Sequence, residues 1–281
     1  MSVHRRRAGA VADHAGAQAA RGSAPVTPAR PAPPDTSRAA AFLQAFEEDR
    51  GTPIAFWWVF AGPSNTLTLP EQIAASVGDR IISHAIAPGE WIREQEIGQQ
   101  FGVSRSPVRE AMRLLEREGV VRIHARRGAR ATFLAQKEIK DLFEVRASLV
   151  RLVGRLAAGH RPERLLELLE IGFGTLRETA EDPDAARRYG ETAAQMTLLC
   201  AALCGNERLF PLIASLSMQM LRYTSLGLKS PERRRRSIVL WRGAIDAIRR
   251  GDADAAEQFF ASRLEENWRE IRRLLETEVI A

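Results

Sequence analysis

A short stretch of the chain carries arginines at a spacing that suits contact with a polyanion. Three arginines recur every fourth residue and therefore share one face of a predicted helix, with two serines at its start. These residues are Ser104, Arg105, Ser106, Arg109 and Arg113. Guanidinium and hydroxyl groups donate hydrogen bonds to phosphate oxygens and to base edges. The pattern predicts a helix whose exposed face binds nucleic acid, with Ser104 as its N-cap.

A second basic segment follows this helix. Val121 and Ile123 alternate with polar residues, as in a strand with one buried face, and the chain then bends at a glycine and returns over 132–134. The residues predicted at the basic tip are Arg126, Arg127, Gly128 and Arg130. Over residues 104–130 eight arginines stand against three glutamates. A solvated amphipathic helix beside a charged hairpin is the alternative, but the order of the elements favours DNA binding.

The elements around the arginine face are those of a winged helix-turn-helix. Residues 94–101 form a predicted short helix, and Gly102 permits the tight turn that follows it. The next helix is predicted to bury four apolar residues at helical spacing: Val108, Ala111, Met112 and Leu115. A preceding helix over 69–84 supplies the rest of the core. Together, residues 67–135 are predicted to form one DNA-binding domain with a recognition helix and a wing.

The residue pattern of the remainder of the chain, residues 136–281, predicts helices and no strands. Apolar residues repeat every three or four positions, and proline or glycine turns separate the segments. After a first helix from residue 137, the further helices are predicted at 162–180, 184–204, 206–227, 232–250 and 253–278. Six such helices form an antiparallel bundle with room for a cavity. The predicted fold class is mainly α, a winged helix-turn-helix followed by an antiparallel all-helical bundle.

Length and composition limit the class of protein. With 281 residues the chain suits two domains, and a net charge of +6 with a pI near 10.1 favours an anionic partner. Two cysteines cannot build a disulfide framework, so a reducing cytoplasm is expected. No apolar run approaches the ~20 residues that span a bilayer. Residues 1–66 are predicted to be a disordered or poorly defined extension, because residues 1–38 lack periodicity; within it, AFLQAF (residues 41–46) can form a short helix.

The DNA-binding region resembles the signature of the GntR family of bacterial transcription regulators. The similarity covers APGEWIREQEIGQQFGVSRSPVREAMRLLEREGVV and is strongest in VSRSPVREAM. The helical half resembles the FadR-type ligand-binding (FCD) domain in the segments EVRASLVRLVGRLAA, CGNERL and AIDAIRRGDADAAEQFFASRLE. The resemblance implies a cytoplasmic homodimer that binds a palindromic operator in double-stranded DNA as a repressor. It also implies that residues 136–281 bind a small-molecule effector and form the dimer.

The resemblance carries DNA contacts over to particular residues. Those implied are Ser104, Arg105, Ser106 and Arg109, with Gly128 in the wing, and the residue pattern adds Arg126 and Arg127. Gln95 takes a place where the family often has an arginine, which weakens one phosphate contact. A guanidinium group that donates two hydrogen bonds to guanine supplies specificity, so Arg105 or Arg109 is expected to contact a base. The wing arginines are expected to hold phosphates and to make binding depend on salt.

The helical half departs from the family at the metal site. Many relatives bind a divalent metal through one aspartate and three histidines, and the corresponding positions here are Ala193, Thr197, Trp241 and Arg263. None of these side chains ligates a metal as the family residues do. None of the five histidines lies within the third to sixth predicted helices of the bundle. The sequence therefore predicts no metal and no other cofactor.

Other residues can hold the effector in place of a metal. Arg263 puts a fixed positive charge at a lost ligand position and can pair with an effector carboxylate, with help from Arg146. Trp241 offers a stacking face, and Thr197 and Cys200 share a helical stripe that is predicted to face the cavity. These five residues form the predicted effector pocket. The alternative is a degenerate pocket, plugged by Trp241, in which Arg263 forms a salt bridge.

Two other classes of function remain as alternatives. An enzyme with Cys200 or Cys204 as nucleophile lacks a nearby histidine base, paired carboxylates and a phosphate-binding glycine loop, so no enzyme is predicted. A DNA-binding protein with a degenerate pocket, independent of any effector, is the closer alternative. It differs from the main prediction in one observable, because no small molecule would shift its affinity for DNA.

Overall fold

The computed structural model describes residues 37–48 and 67–276. The elements in chain order are α1 (Ser37–Glu48), α2 (Leu69–Ile82), β1 (Trp91–Ile92), α3 (Glu94–Phe101), α4 (Arg105–Arg117), β2 (Val121–His124), β3 (Gly128–Ala131), α5 (Gln136–His160), α6 (Glu163–Thr179), α7 (Ala186–Leu203), α8 (Leu209–Gly227), α9 (Pro231–Arg250) and α10 (Ala253–Glu276). The chain is mainly helical with one small sheet, which confirms the predicted fold class. Among these elements, no helix is long and apolar enough to span a membrane.

Helices α2, α3 and α4 and the sheet form a winged helix-turn-helix, here called the head. Gly102 ends α3 with a φ of 65°, a left-handed conformation that suits glycine and permits the turn into α4. The predicted apolar stripe of α4 is buried, at Val108, Ala111, Met112 and Leu115. The sheet is antiparallel with strand order β1-β3-β2. The sequence did not predict β1, because two residues are too short to show a strand pattern.

The wing differs in register from its prediction. The sequence placed the returning strand at 132–134, but β3 runs from Gly128 to Ala131 and pairs with β2 in the register Val121↔Ala131 and His124↔Gly128. The tip is therefore confined to residues 125–127. Arg126 adopts a left-handed φ of 65° and Gly128 a φ of 92°, so two residues make the bend that was assigned to the glycine alone.

Helices α5 to α10 form the helical domain, here called the body. The observed bounds of these helices lie within three residues of the predicted ones. Helix α5 packs along α10 and also against α7, α8 and α9, so it runs through the centre of the body. A small apolar cluster joins the segment after the wing to the body; its buried members are Leu134, Ile139, Phe143, Met220, Tyr223 and Ile271. The head is therefore packed on the body.

Helix α1 corrects part of the prediction for the N-terminal extension. The extension 1–66 was expected to be disordered or poorly defined, but residues 37–48 form a helix whose inner face is buried in the main core. Phe42 and Phe46 are both fully buried, and the ring of Phe42 lies 5.5 Å from that of Phe210 in α8. Their spacing of four places them on one helical face. Residues 1–36 and 49–66 lie outside the described part of the chain.

Candidate nucleic-acid interface and ligand cavity

The start of α4 presents its polar residues to solvent. Ser104 occupies the N-cap position with extended backbone, as predicted, but its hydroxyl makes no capping hydrogen bond. Arg105, Ser106 and Arg109 are exposed on the first two turns, while the opposite face is buried in the head. The helix N-terminus also carries a partial positive charge from its unpaired amides. This end of α4 can donate several hydrogen bonds to one polyanion.

An open cleft of about 980 Å³ lies between α3, α4 and the wing. It is lined by five of the predicted DNA-binding residues, namely Gln95, Arg109, Arg126, Arg127 and Gly128, and also by Arg113. Ser104, Arg105 and Ser106 do not line the cleft and lie beside it at the start of α4. The fold thus brings residues separated by about 30 positions in the chain to one concave, positively charged surface.

Two arginines of this surface have an acidic neighbour, namely Arg93, which pairs with Glu96, and Arg109. The Nε atom of Arg109 lies 3.5 Å from Oε2 of Glu94, whose side chain is only 21% exposed. Glu94 therefore restricts the direction of the Arg109 guanidinium. Arg105 has no such ion pair within the described ranges, and neither do the two arginines of the wing tip. The sequence analysis did not single out Glu94; its place in the first turn of α3 was the available signal.

Arg130 makes a structural contact that the sequence did not predict. The sequence grouped Arg130 with the phosphate-binding arginines of the wing, but it donates a hydrogen bond from Nε to the backbone oxygen of Gly89. Its guanidinium carbon also lies 5.7 Å from the ring centre of Trp91. Arg130 therefore links β3 to the segment before β1, and the tip of the wing presents Arg126 and Arg127 as exposed cations.

The body contains a small cavity between α5, α7, α8, α9 and α10. Its volume is about 30 Å³, which is room for about two water molecules. Its polar lining residues are Arg146, Thr224, Arg233, Ser237, Arg263 and Asn267. The remaining wall is apolar and includes Ala193. Three arginines and no carboxylate thus line a space of a few atoms.

Arg263 lies on the face of Trp241 and has unused hydrogen-bond donors. Its guanidinium carbon is 3.2 Å from the ring centre, and Nη2 donates to the hydroxyl of Thr197 at 3.4 Å. Nε and Nη1 are enclosed and make no hydrogen bond. Burial, and secondarily the charge of Arg146, lower the pKa of Arg263 to about 9, so the group stays charged at neutral pH. Among the described residues Arg263 makes no salt bridge, whereas the degenerate-pocket alternative expected one.

Arg146 is the second buried cation of the cavity. It projects from α5, is 4% exposed, and its Nε atom has no hydrogen-bond partner. Burial lowers the pKa of Arg146 to about 10, so this group also remains charged at neutral pH. A buried charge without a partner costs free energy, typically several kcal/mol. Neither of the two arginines has a carboxylate partner among the described residues.

Three of the predicted pocket residues lie behind the cavity rather than on its wall. Thr197 and Trp241 are buried and contact Arg263, while Cys200 is fully buried in the core. Burial raises the pKa of the Cys200 thiol far above its usual range, so the thiol is not an activated nucleophile. The predicted stripe faces the cavity only at Ala193, because the helix α7 turns its other members into the core.

The sequence analysis missed four polar residues of the cavity, Thr224, Arg233, Ser237 and Asn267, and two of them have buried atoms without a partner. Arg233 donates from Nη1 to Oε2 of Glu266 at 2.7 Å, and its Nε atom is buried without a partner. Asn267 has a buried Oδ1 atom that also lacks a partner. Arg233 lies in a run of four arginines that looks like a solvated surface, and only the packing of α9 on α10 distinguishes it from its neighbours. Within the described ranges, no group of three or more histidine, cysteine, aspartate or glutamate residues could hold a metal.

The sequence is similar to known protein families and to known regulators. It matches the family described as "Bacterial regulatory proteins, gntR family" over residues 69–130 and "FCD domain" over residues 141–266. The HTH-type transcriptional regulator YdhC of Bacillus subtilis (strain 168) is 39% identical over 90 residues, which cover 32% of this chain and 40% of that protein. The HTH-type transcriptional repressor RspR of Escherichia coli (strain K12) is 25% identical over 214 residues, which cover 74% of this chain and 91% of RspR.

The fold is also found in solved structures. The structure of E. coli McbR/YncC has a TM-score of 0.65 at 17% identity, and the match covers 75% of this chain and 100% of that chain. The chain spans about half or less of the length of the first curated relatives that it matches, at 40%, 51% and 41%.

Proposed function

Because the chain belongs to the GntR family of bacterial regulatory proteins and carries an FCD domain, we propose that it represses transcription by binding operator DNA. The observation that carries this proposal is the cleft in which exposed arginines of α4 and the wing share one surface. The name of RspR as a repressor supports repression as the outcome. The protein acts by binding and not by catalysis, in the cytoplasm where the DNA is.

The start of α4 enters the major groove of the operator. Arg105 or Arg109 donates two hydrogen bonds to one guanine, which is worth about 1–3 kcal/mol of discrimination. Arg126 and Arg127 at the wing tip hold phosphates, and Ser104, Ser106 and Gln95 fix the position of the head on the DNA backbone. The base contact supplies specificity, and the phosphate contacts supply affinity that falls with salt.

The protein binds a palindromic operator as a homodimer. Helix α5 carries apolar residues at spacings of three and four, and two of them are exposed in the single chain, Val145 by 55% and Leu152 by 39%. Leu142 and Leu149 on the same stripe are only partly buried. A stripe of this kind suits packing against the same stripe of a second copy. Two heads then contact two half-sites of the palindrome.

A small carboxylate effector binds in the cavity of the body without a metal. Arg263 and Arg146 supply the positive charge, and Trp241 and Thr197 hold Arg263 in place from behind. Helix α8 connects this cavity with the head, because Thr224 lines the cavity and Arg222 donates from Nη2 to the backbone oxygen of Thr132 after the wing, at 2.7 Å. An effector that favours one position of α8 therefore shifts the head.

The experiment that tests this function is a selection of genomic DNA fragments by the purified full-length protein. The Arg105→Ala/Arg109→Ala double variant is the matched comparison, because both substitutions lie on the exposed face of α4. The expected result is one enriched palindrome that the variant no longer selects. Diffuse, salt-sensitive enrichment that is equal for both proteins would contradict sequence-specific binding.

The second candidate is a DNA-binding protein that needs no effector. The observation that favours it is the volume of the cavity, about 30 Å³, which is far below the size of most ligand pockets. In that case the affinity for the selected palindrome would not change with any small anion.

A further inference from the structure

The charges that line the cavity do not balance. Three arginines face it, and one of them, Arg233, is paired with Glu266. Glu266 also pairs with the exposed Arg236, so its charge is already shared. Arg146 and Arg263 have no carboxylate partner within residues 37–48 and 67–276. The wall therefore carries a surplus of two positive charges.

The other polar groups near these arginines do not compensate them. Burial raises the pKa of Tyr189 to about 12, and burial also keeps the Cys200 thiol protonated, so neither group carries a negative charge at neutral pH. The hydroxyls of Thr224 and Ser237 line the cavity as neutral groups. A ligand with one negative charge would leave one buried guanidinium uncompensated.

We propose that the cavity binds a compact dianion, either a short dicarboxylate or inorganic phosphate, with its negative charges shared between Arg146 and Arg263. This inference rests on the proposed effector site and names the class of ligand. Helices α5 and α10 carry the two arginines, so the ligand ties together the two helices that pack along each other through the body. The small cavity limits the ligand to a few non-hydrogen atoms or requires the lining side chains to move apart.

The experiment measures the binding of three anions to the full-length protein by calorimetry at constant ionic strength. The probes are malonate, inorganic phosphate at about pH 8, where it is a dianion, and acetate as the singly charged reference. We expect at least one of the two dianions to bind at least about tenfold more tightly than acetate. Tight binding of malonate alone indicates that the ligand is a dicarboxylate, and tight binding of phosphate alone indicates that it is phosphate. Equal binding of acetate and both dianions, or no binding of any of them, overturns the proposal.

Charge-removal variants sharpen the test. Arg146→Gln and Arg263→Gln each remove one of the two unpaired charges, so the preference for a dianion over acetate should fall to about twofold or less. The control is Arg151→Gln, on the same helix, where an exposed arginine pairs with Glu265 at the surface. A preference retained in both cavity variants contradicts the proposal. Binding of the selected operator, measured with the same proteins, separates a wrong ligand class from a wrong function.

A second and independent inference concerns α1, which lies outside both segments that match the families. Helix α1 is fixed to the body by the buried rings of Phe42 and Phe46 and by an ion pair between Glu47 and Arg164 at 2.7 Å. At its other end, Arg38 donates from Nη2 to Oε1 of Glu118 at 3.2 Å. Glu118 is the C-cap residue of α4 and is 3% exposed.

We infer that α1 is a positioning element for the recognition helix α4. It connects the C-terminal end of α4 to the body, so it restrains the direction in which α4 points. In the proposed homodimer, on which this inference rests, the same restraint fixes the separation of the two recognition helices. Helix α1 therefore contributes to the choice of half-site spacing and not to the contact with any base.

The test compares Arg38→Gln with Arg117→Gln on operators whose half-sites are moved apart or together. Arg117 lies 3.9 Å from the same carboxylate of Glu118 but is exposed and belongs to α4, so it is the matched control. We expect the preference for the natural spacing to fall about fivefold in Arg38→Gln. Affinity for a single half-site should not change, and Arg38→Lys should restore the preference.

Two results would count against this role. An unchanged spacing preference in Arg38→Gln would overturn it, and so would an equal loss in Arg117→Gln. If the wild-type protein itself shows no preference for the spacing of the half-sites, the proposed dimer is wrong, and the proposed role of α1 is then wrong as well.

Discussion

The head and the body use arginine in opposite ways. In the head, Arg105, Arg126 and Arg127 are exposed, so water solvates their charges until DNA replaces it. In the body, Arg146 is buried and Arg263 is half-buried, and the buried Nε atom of each has no partner. An exposed cation costs the fold little, whereas a buried unpaired cation lowers stability until an anion binds. The first arrangement suits a large polyanion in solution, and the second suits a small anion that enters the protein.

Arg234 shows a third arrangement, in which each guanidinium nitrogen of a buried arginine donates a hydrogen bond. Arg234 is fully buried, but its guanidinium donates to four backbone oxygens. These acceptors belong to Ala180, Asp182, Leu228 and Lys229, so Arg234 holds the turn after α6 against the turn before α9. A buried arginine can therefore stabilise the fold, or it can wait for a ligand. A complete set of hydrogen bonds indicates the first role, and unpaired donors indicate the second.

The largest expected effect is the opposite response of two buried arginines to the same substitution. Arg234→Met should lower the free energy of unfolding by about 3 kcal/mol, because it leaves carbonyl oxygens without donors. Arg263→Met should raise it by about 1–2 kcal/mol in the absence of ligand, because it removes an unpaired buried charge. Urea denaturation of the two variants measures both values. A loss of similar size in Arg263→Met would mean that its charge is already compensated.

A smaller effect is expected at the junction of head and body. Arg222 is 6% exposed and donates to the backbone oxygen of Thr132 and to the hydroxyl of Tyr223, both at 2.7 Å. Arg222→Met should lower the free energy of unfolding by about 1–2 kcal/mol. It should also make the amides of the wing exchange hydrogen faster, because the segment after the wing loses its attachment to α8. Unchanged exchange in the wing would remove α8 as the route between cavity and head.

The smallest expected effect is at Glu94. Glu94→Gln removes the carboxylate beside Arg109 and makes the net charge of the cleft more positive by one. Affinity for unrelated DNA should rise about threefold, because one more unpaired cation faces the phosphates. Discrimination between the operator and unrelated DNA should fall, because the Arg109 guanidinium is less restricted in direction. Titration of the two DNA sequences with fluorescence anisotropy measures both changes; an increase in discrimination would show that Glu94 opposes base recognition.

The parts of the fold that follow local periodicity were predictable from the sequence. The apolar stripe of α4 and the glycine after α3 determine the helix-turn-helix, and the breaks at proline and glycine determine the helices of the body. The sequence indicated at most a short helix at α1, and its burial was not predictable because it depends on α7 and α8, which begin about 140 residues further along the chain. The strand β1 was missed because it exists only through its pairing with β3.

The site was predictable where exposure follows from helical spacing and less so where it depends on packing. The arginine face of α4 required only the spacing of its residues. The same kind of argument predicted that Cys200 faces the cavity. Because helices pack on several sides of α7, the spacing of its residues alone does not show which of its faces lines the cavity. Arg233 was hidden in a charged run, and only its packing beside Glu266 brings it to the cavity.

The most direct test of the account compares one arginine of α4 with one of the wing. Affinities of the wild-type protein, Arg109→Ala and Arg127→Ala are measured for the selected operator and for unrelated DNA of the same length. In Arg109→Ala the ratio of the two affinities should fall by about 5–100-fold, the equivalent of one lost base contact. In Arg127→Ala both affinities should fall together, with a smaller dependence on salt. If the ratio of operator affinity to unrelated-DNA affinity fell equally in both variants, the division between a recognition helix and a phosphate-binding wing would be contradicted.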